Sequence, residues 1–243
     1  MLELQAYTVF LLLVSSVLAC VPKVDFVQEI ATNEQREISF PGTASEPSFS
    51  VRISAEGRMG TVAVLDGKGT EMQKLECPLL RDNPDATRQE MAAVREQFIS
   101  KFVTADLDSD GHLDLAGVRE FGAKWARYCV WLYDAAQHKF MRDFLAEQME
   151  LLTNLRALGN GQISSSHMGP TTSSIAVYRV VNADGTEPAR QLVPLRSCLV
   201  ELRANAAIQV IAQFEGERTV MRRRHVTEKD VGTILNQCAF GAL

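Results

Sequence analysis

Four aspartates fall within nine residues of this chain, in the run Asp106-Leu-Asp108-Ser-Asp110-Gly111-His112-Leu-Asp114. Carboxylates at positions one, three and five of such a run converge when a glycine at position six lets the backbone turn sharply. The backbone carbonyl of His112, at position seven, can add an oxygen, and Asp114, at position nine, a fourth carboxylate. Carboxylates this close repel one another unless a cation sits among them, and hard oxygen donors in this number suit Ca2+ better than a transition metal. The expected ligand set is Asp106, Asp108, Asp110, His112 and Asp114, holding a structural Ca2+. A helix-flanked calcium loop would need a bidentate Glu at position twelve, but Gly117 stands there and Glu120 comes three residues too late. A loop between strands, closed by Asp114, is the expectation; the competing reading is a solvated aspartate-rich turn.

The remaining reactive residues are scattered. His112, His138, His167 and His225 form no His-Glu-x-x-His pair, and the chain has no Gly-x-Ser-x-Gly elbow or phosphate loop. Ser166 is next to His167, but a catalytic pair must meet in space, not in sequence. The chain is therefore not expected to be an enzyme. Arg222-Arg223-Arg224-His225 reads as a charged edge strand, with a basic contact patch as the alternative. Trp125 and Trp131 read as core. Twenty-five Lys and Arg against 30 Asp and Glu give a net charge of −5, which argues against a general nucleic-acid binder.

The elements that would position these residues are mainly strands. Of the 243 residues, 46% are hydrophobic and 23% charged, enough for a core and too apolar for disorder. From Phe49 to Leu75 apolar and polar residues alternate, broken at Glu56-Gly57 and Asp66-Gly67, the pattern of β-hairpins. Asn83-Pro84 is the expected start of a short helix carrying Met91, Val94 and Phe98. Strands are expected at Phe98–Thr104, Tyr128–Tyr133, Ile175–Val181, Cys198–Leu202 and Ile208–Phe214, with turns at 134–139 and 182–185. Leu145–Leu158 is expected to form a helix ended by Gly159-Asn160-Gly161. A last helix, capped by Thr227, would place Val231, Ile234, Leu235 and Cys238 on one face. The fold class is thus mostly β: antiparallel sheets in a propeller-like or sandwich architecture, with a few short helices and one calcium β-loop.

The N-terminus reads as an export signal. Phe10–Ala19 is an apolar stretch of signal-peptide length, although its leading segment holds Glu3 and no Lys or Arg. Val17-Leu-Ala-Cys20 is similar to a bacterial lipobox, in which Cys20 would carry the lipid anchor. Cys77, Cys129, Cys198 and Cys238 would then be left for two disulfides in an oxidising compartment, with all three pairings open. The expected divisions are a signal peptide at 1–19, an N-terminal β-rich region at 20–90, and a calcium-loop β domain with a short C-terminal helix at 91–243.

The stretch from Phe102 to about Leu202 resembles the calcium-binding periplasmic immunity lipoproteins of antibacterial type IV secretion systems, themselves similar to periplasmic lysozyme inhibitors. The resemblance rests on Asp106 to Leu115, on Tyr128-Cys-Val-Trp-Leu-Tyr-Asp134, on Phe140 and on Tyr178, and covers under half the chain. It implies a β-rich, membrane-anchored periplasmic protein that blocks a lysozyme-like cell-wall hydrolase effector by inserting a loop into its cleft. The family's Ser-Gly-x-x-Tyr loop is not intact here. The corresponding segment carries Ser165, Ser166, His167, Met168 and Gly169, with Tyr178 well downstream. A calcium-stiffened extracellular adhesion module is the alternative function, and an unrecognised hydrolase a further one.

Overall fold

A computed structural model describes residues 29–31, 35–40, 48–169, 171–182, 190–203, 206–215, 218–226 and 231–239. The stretch read as an export signal, Cys20, Thr227 and the turn expected at 183–185 lie outside the described residues. The fold is mostly β, with three antiparallel sheets, each a meander in which sequence neighbours pair, and it is consistent with a sandwich.

The first sheet comprises β1 (Glu29–Ala31), β2 (Gln35–Phe40), β3 (Phe49–Glu56), β4 (Met59–Asp66) and β5 (Glu71–Pro78). Its hairpin turns fall at Gly57 and at Asp66-Gly67, as the alternation predicts. Helix α1 (Arg88–Ser100) follows. Asn83 and Pro84 do not begin it. Thr87 is the N-cap, closed by a capping box in which its side chain accepts from the Glu90 amide and the Glu90 carboxylate accepts from the Thr87 amide. Asn83 instead lies in a preceding turn, with its amide donating to the Leu80 carbonyl.

The strand expected at Phe98–Thr104 is a second correction. Phe98, Ile99 and Ser100 are the last turn of α1, and only Val103–Ala105 is extended, as β6. Phe98 and Ile99 are both buried because the end of the helix is sandwiched between two sheets rather than lying on one.

The middle sheet adds β7 (Asp114–Gly122), β8 (Trp125–Asp134) and β9 (Lys139–Met141) to β6. Its two faces serve two cores, as period-two alternation requires. Leu115, Cys129 and Trp131 face the first sheet and α1; Ala116, Val130 and Leu132 face the other way. Trp131 is core, as expected, whereas Trp125 is half-buried with the Arg127 guanidinium 5.9 Å from its ring centre. The Cys77–Cys129 disulfide ties β5 to β8 across the first core. Packing therefore runs across residue 90, where the sequence suggested a division.

Helix α2 (Phe144–Glu150) covers the second face with Leu145, Ala146 and Met149. The helix expected to reach Leu158 stops at Glu150, and Arg156–Gly159 is strand β10. Leu152 and Leu155 still pack on the second core from the intervening turn, so the apolar run satisfies burial without helix. Strands β11 (Gln162–Met168), β12 (Thr172–Asn182), β13 (Arg190–Arg203), β14 (Ala206–Glu215) and β15 (Arg218–Val226) complete a six-stranded third sheet. The arginine run lies on β15, the last strand in the order, and Arg222 and Arg223 are exposed. Helix α3 (Val231–Ala239) packs Ile234, Leu235 and Cys238 on Ile175, Cys198 and Val200. The Cys198–Cys238 disulfide fastens it, and the Arg196 guanidinium donates to the carbonyls of Cys238 and Ala239 at its end. Among the described residues no helix is long and apolar enough to cross a membrane.

Candidate metal centre

The aspartate loop closes the β6–β7 hairpin, with Ala105 paired to Asp114 and residues 106–113 looping between them. The turn needs two residues with positive φ, Ser109 at 60° and Gly111 at 94°. Glycine meets this demand without strain at 111, and Ser109 is held by a hydrogen bond from the Gly161 amide to its Oγ at 2.8 Å. Leu107 points inward and is buried in the second core, so apolar packing anchors the loop between its acidic neighbours.

Carboxylate oxygens of Asp106, Asp108 and Asp114 all lie within 4.8 Å of one another. Asp114 is fully buried; its oxygens accept from the Leu107 amide at 2.7 Å and from the Tyr133 amide of β8 at 2.9 Å. Asp106 accepts from the amides of Asp110 (3.1 Å) and Gly111 (3.2 Å). Asp108 also accepts from the Asp110 amide at 3.1 Å, and its other oxygen pairs with the Arg190 guanidinium. Arg190, the first residue of β13, reaches Asp143 as well, at 3.2 Å.

The electrostatics show incomplete compensation. Burial, followed by the charge of Asp108, pushes the Asp114 carboxyl up to about 7, against the pull of its two amide donors. Burial likewise raises Asp108 to about 6, although Arg190 opposes it. The Arg190 charge is itself held on, against the cost of burial, by Asp108 and then Asp143. One guanidinium thus shares a site with three converging carboxylates, and a divalent cation would neutralise the remainder.

The donor set fits a hard cation and departs from the expected ligands at Asp110. Asp106, Asp108 and Asp114 converge, but the Asp110 carboxylate is outside the group and accepts from the His112 amide at 2.9 Å, bracing the turn. The His112 imidazole lies against Tyr133, with ring centres 5.4 Å apart. Three aspartates of this kind are not specific to calcium. Sequence reasoning missed Arg190, which is 82 residues from Asp108 and carries no local signal.

The segment read as an inhibitory loop is the distal half of the β11–β12 hairpin. Ser165 and Ser166 are half-buried and clamped to the turn after α2. The Ser165 Oγ accepts from the Thr153 amide at 3.1 Å and donates to its carbonyl at 2.9 Å. The Ser166 carbonyl accepts from Thr153 Oγ1 and Asn154 Nδ2 at 2.8 and 3.0 Å. His167 and Met168 are exposed at the end of the strand, and the Gly169 amide donates to the Thr172 carbonyl. Tyr178 is not with them. It pairs with Ile163 at the opposite end of the hairpin and packs half-buried on the second core, which raises its phenol pKa.

No protein-family model matches the chain, and no curated protein matches it significantly in sequence.

Proposed function

We infer that this protein is an exported inhibitor that occludes the cleft of a lysozyme-like, peptidoglycan-degrading enzyme, acting as an immunity protein of an antibacterial type IV secretion system. The observation that carries this reading is the β11–β12 hairpin. Thr153 and Asn154 fix its strand β11 through Ser165 and Ser166, while His167 and Met168 stay exposed at its end. A recognition element already rigid before contact gives up little conformational entropy on binding. An imidazole and a thioether at its tip suit a glycosidase cleft, where paired carboxylates offer acceptors between apolar walls. Blocking such a cleft requires no covalent step, so the protein acts as a ligand and not as an enzyme.

Two disulfide pairs favour an oxidising compartment such as the periplasm. Lipidation at Cys20 would hold the protein at a membrane, in the path of an incoming hydrolase. Asp106, Asp108 and Asp114 would hold Ca2+, which supplies the charge needed to keep the β6–β7 loop closed. Through the Ser109–Gly161 contact the same loop braces the β10–β11 turn at the base of the hairpin.

The test is peptidoglycan clearing by a lysozyme-like effector from the native host, titrated with the disulfide-bonded protein. Stoichiometric loss of activity is expected, together with a loss of potency of about tenfold or more when His167 and Met168 are both changed to Ala. Clearing that persists in molar excess refutes the proposal. Turnover of peptidoglycan by the protein alone would point to a hydrolase, and binding to glycans without inhibition to an adhesion module.

A further inference from the structure

A cleft of about 170 Å³ opens at the seam between the first sheet and the β8–β9 hairpin, and neither the metal centre nor the inhibitory reading uses it. Phe49, Tyr133 and Phe140 wall it with aromatic rings, and buried Val64 lines its depth. The rings hold one another. Phe49 and Tyr133 lie parallel at 6.5 Å, and Phe140 meets Tyr133 edge-on at 5.2 Å and Phe49 at 6.0 Å. Behind them Phe40 stacks on Phe49 at 4.5 Å.

Gln73 fixes the remaining side. Its side-chain amide donates to the Phe140 carbonyl at 2.7 Å, and its Oε1 accepts from the Phe140 amide at 3.0 Å. A side chain therefore pairs with the open edge of β9 as another strand would. With its walls braced in this way the cleft is preformed, which removes much of the cost of ordering a site around a ligand.

Size and charge narrow the occupant. A cavity near 150 Å³ accepts one benzene molecule, so this one takes a single ring. Three aromatic walls favour an aromatic ring over an aliphatic one through edge-on and offset contacts. The exposed Lys139 borders the cleft and has no ion pair among the described residues. Its cross-strand partner Asp134 is tied into the turn by the Ala136 and Gln137 amides and the Gln137 side chain. The ammonium is thus available to a ligand anion. The geometry points to this cleft as a binding site for a small aromatic carboxylate, its ring among Phe49, Tyr133 and Phe140 and its carboxylate on Lys139.

The test uses the disulfide-bonded protein with 13C-methyl methionine, following Met72 at the edge of the cleft. Benzoate is expected to shift this methyl saturably, with a Kd at or below about 1 mM. Lys139→Gln weakens benzoate about fivefold and leaves neutral benzyl alcohol unchanged. Lys139 is exposed, so the variant keeps its fold. The absence of a saturable shift overturns the site, and equal benzoate affinity in Lys139→Gln overturns the role of the ammonium. Cyclohexanecarboxylate binding as tightly as benzoate overturns the aromatic preference. N-acetylphenylalaninamide binding more tightly than benzoate overturns the small-anion assignment in favour of a partner's side chain.

Discussion

Arg190, at the start of β13, inserts its guanidinium into the acidic cluster and pairs with Asp108, which stands 82 residues earlier in the chain. This contact ties the third sheet to the β6–β7 loop. It also places a built-in cation beside the position a metal would take. Arg190→Gln removes that charge and leaves Asp106, Asp108 and Asp114 more repulsive, so the chelated protein melts at a lower temperature. The same change deepens the potential felt by a divalent ion, so the rise in melting temperature on adding calcium becomes larger than in the parent. A smaller calcium response in the variant would mean that Arg190 organises the site instead of competing with the ion.

The cluster also predicts how stability depends on pH. Asp108 and Asp114 titrate near 6 and near 7 in the fold, both above the ordinary aspartate value of 3.8. Between about pH 4 and pH 7 the folded chain therefore holds protons that the unfolded chain has released. The contribution of these groups is full below about pH 4 and is lost as pH rises through 7, so chelated protein is destabilised across that window. Calcium displaces the protons, and its stabilising effect should grow from pH 5 to about 7 and then level off. Asp108→Asn relieves Asp114 of the like charge that raises it most, flattening the slope in chelator. Melting curves with and without calcium at several pH values check both statements.

A further prediction concerns the seam between the first and middle sheets. The Phe98 ring fills the space that Cβ atoms at Gly60 and Gly117 would take; a Cβ built on Gly117 would sit 2.4 Å from Phe98 Cε2, and one on Gly60 would sit 2.6 Å from Cζ. Phe98 is fully buried and cannot swing aside. Gly117→Ala should cost about 1–3 kcal/mol through overpacking, and Phe98→Ala about 3–5 kcal/mol through the cavity it leaves. Combining Gly117→Ala with Phe98→Leu should cost less than the sum of the two changes, because the smaller side chain vacates the contested space. Strict additivity in denaturant unfolding would place the clash elsewhere.

Much of this architecture is legible in the sequence where a signal is local. Alternation and Glu-Gly or Asp-Gly turns mark β3 to β5, and Tyr128–Tyr133 is the strand its composition suggests. The Asp-x-Asp-x-Asp-Gly spacing locates a strand-flanked loop. Apolar runs are less informative where tertiary packing decides their form. Phe98, Ile99 and Phe102 look like a strand but are the end of a helix and its exit, buried from two sides. Leu151 to Leu155 continues a helical period beyond the actual end of α2, because a turn can bury Leu152 and Leu155 equally well. Contacts between distant segments leave no local trace: Arg190 with Asp108, Gln73 with Phe140, and the choice of Cys77–Cys129 and Cys198–Cys238 among three pairings. The family resemblance associates Tyr178 with the hairpin tip, yet antiparallel pairing carries it to the other end.

Asn154 offers a test of whether rigidity of the β11–β12 hairpin matters. Its φ of 48° is left-handed, a conformation Asn tolerates better than most residues. Its side chain accepts from the Ala126 amide at 2.9 Å and donates to the carbonyls of Lys124 and Ser166, both at 3.0 Å, joining β8 to β11. Asn154→Gly keeps the backbone conformation and removes these bonds; Asn154→Ala removes them and adds about 1 kcal/mol or more of left-handed strain. Both should speed amide exchange in β11 and β12 while leaving β3 and β4 protected, with Ala the less stable. If tip rigidity underlies inhibition, potency against the hydrolase falls in the order parent, Gly, Ala, in step with exchange at Ser166 and His167. Unchanged potency despite faster exchange would show that a partner can order the hairpin on contact, and that the clamp serves stability alone.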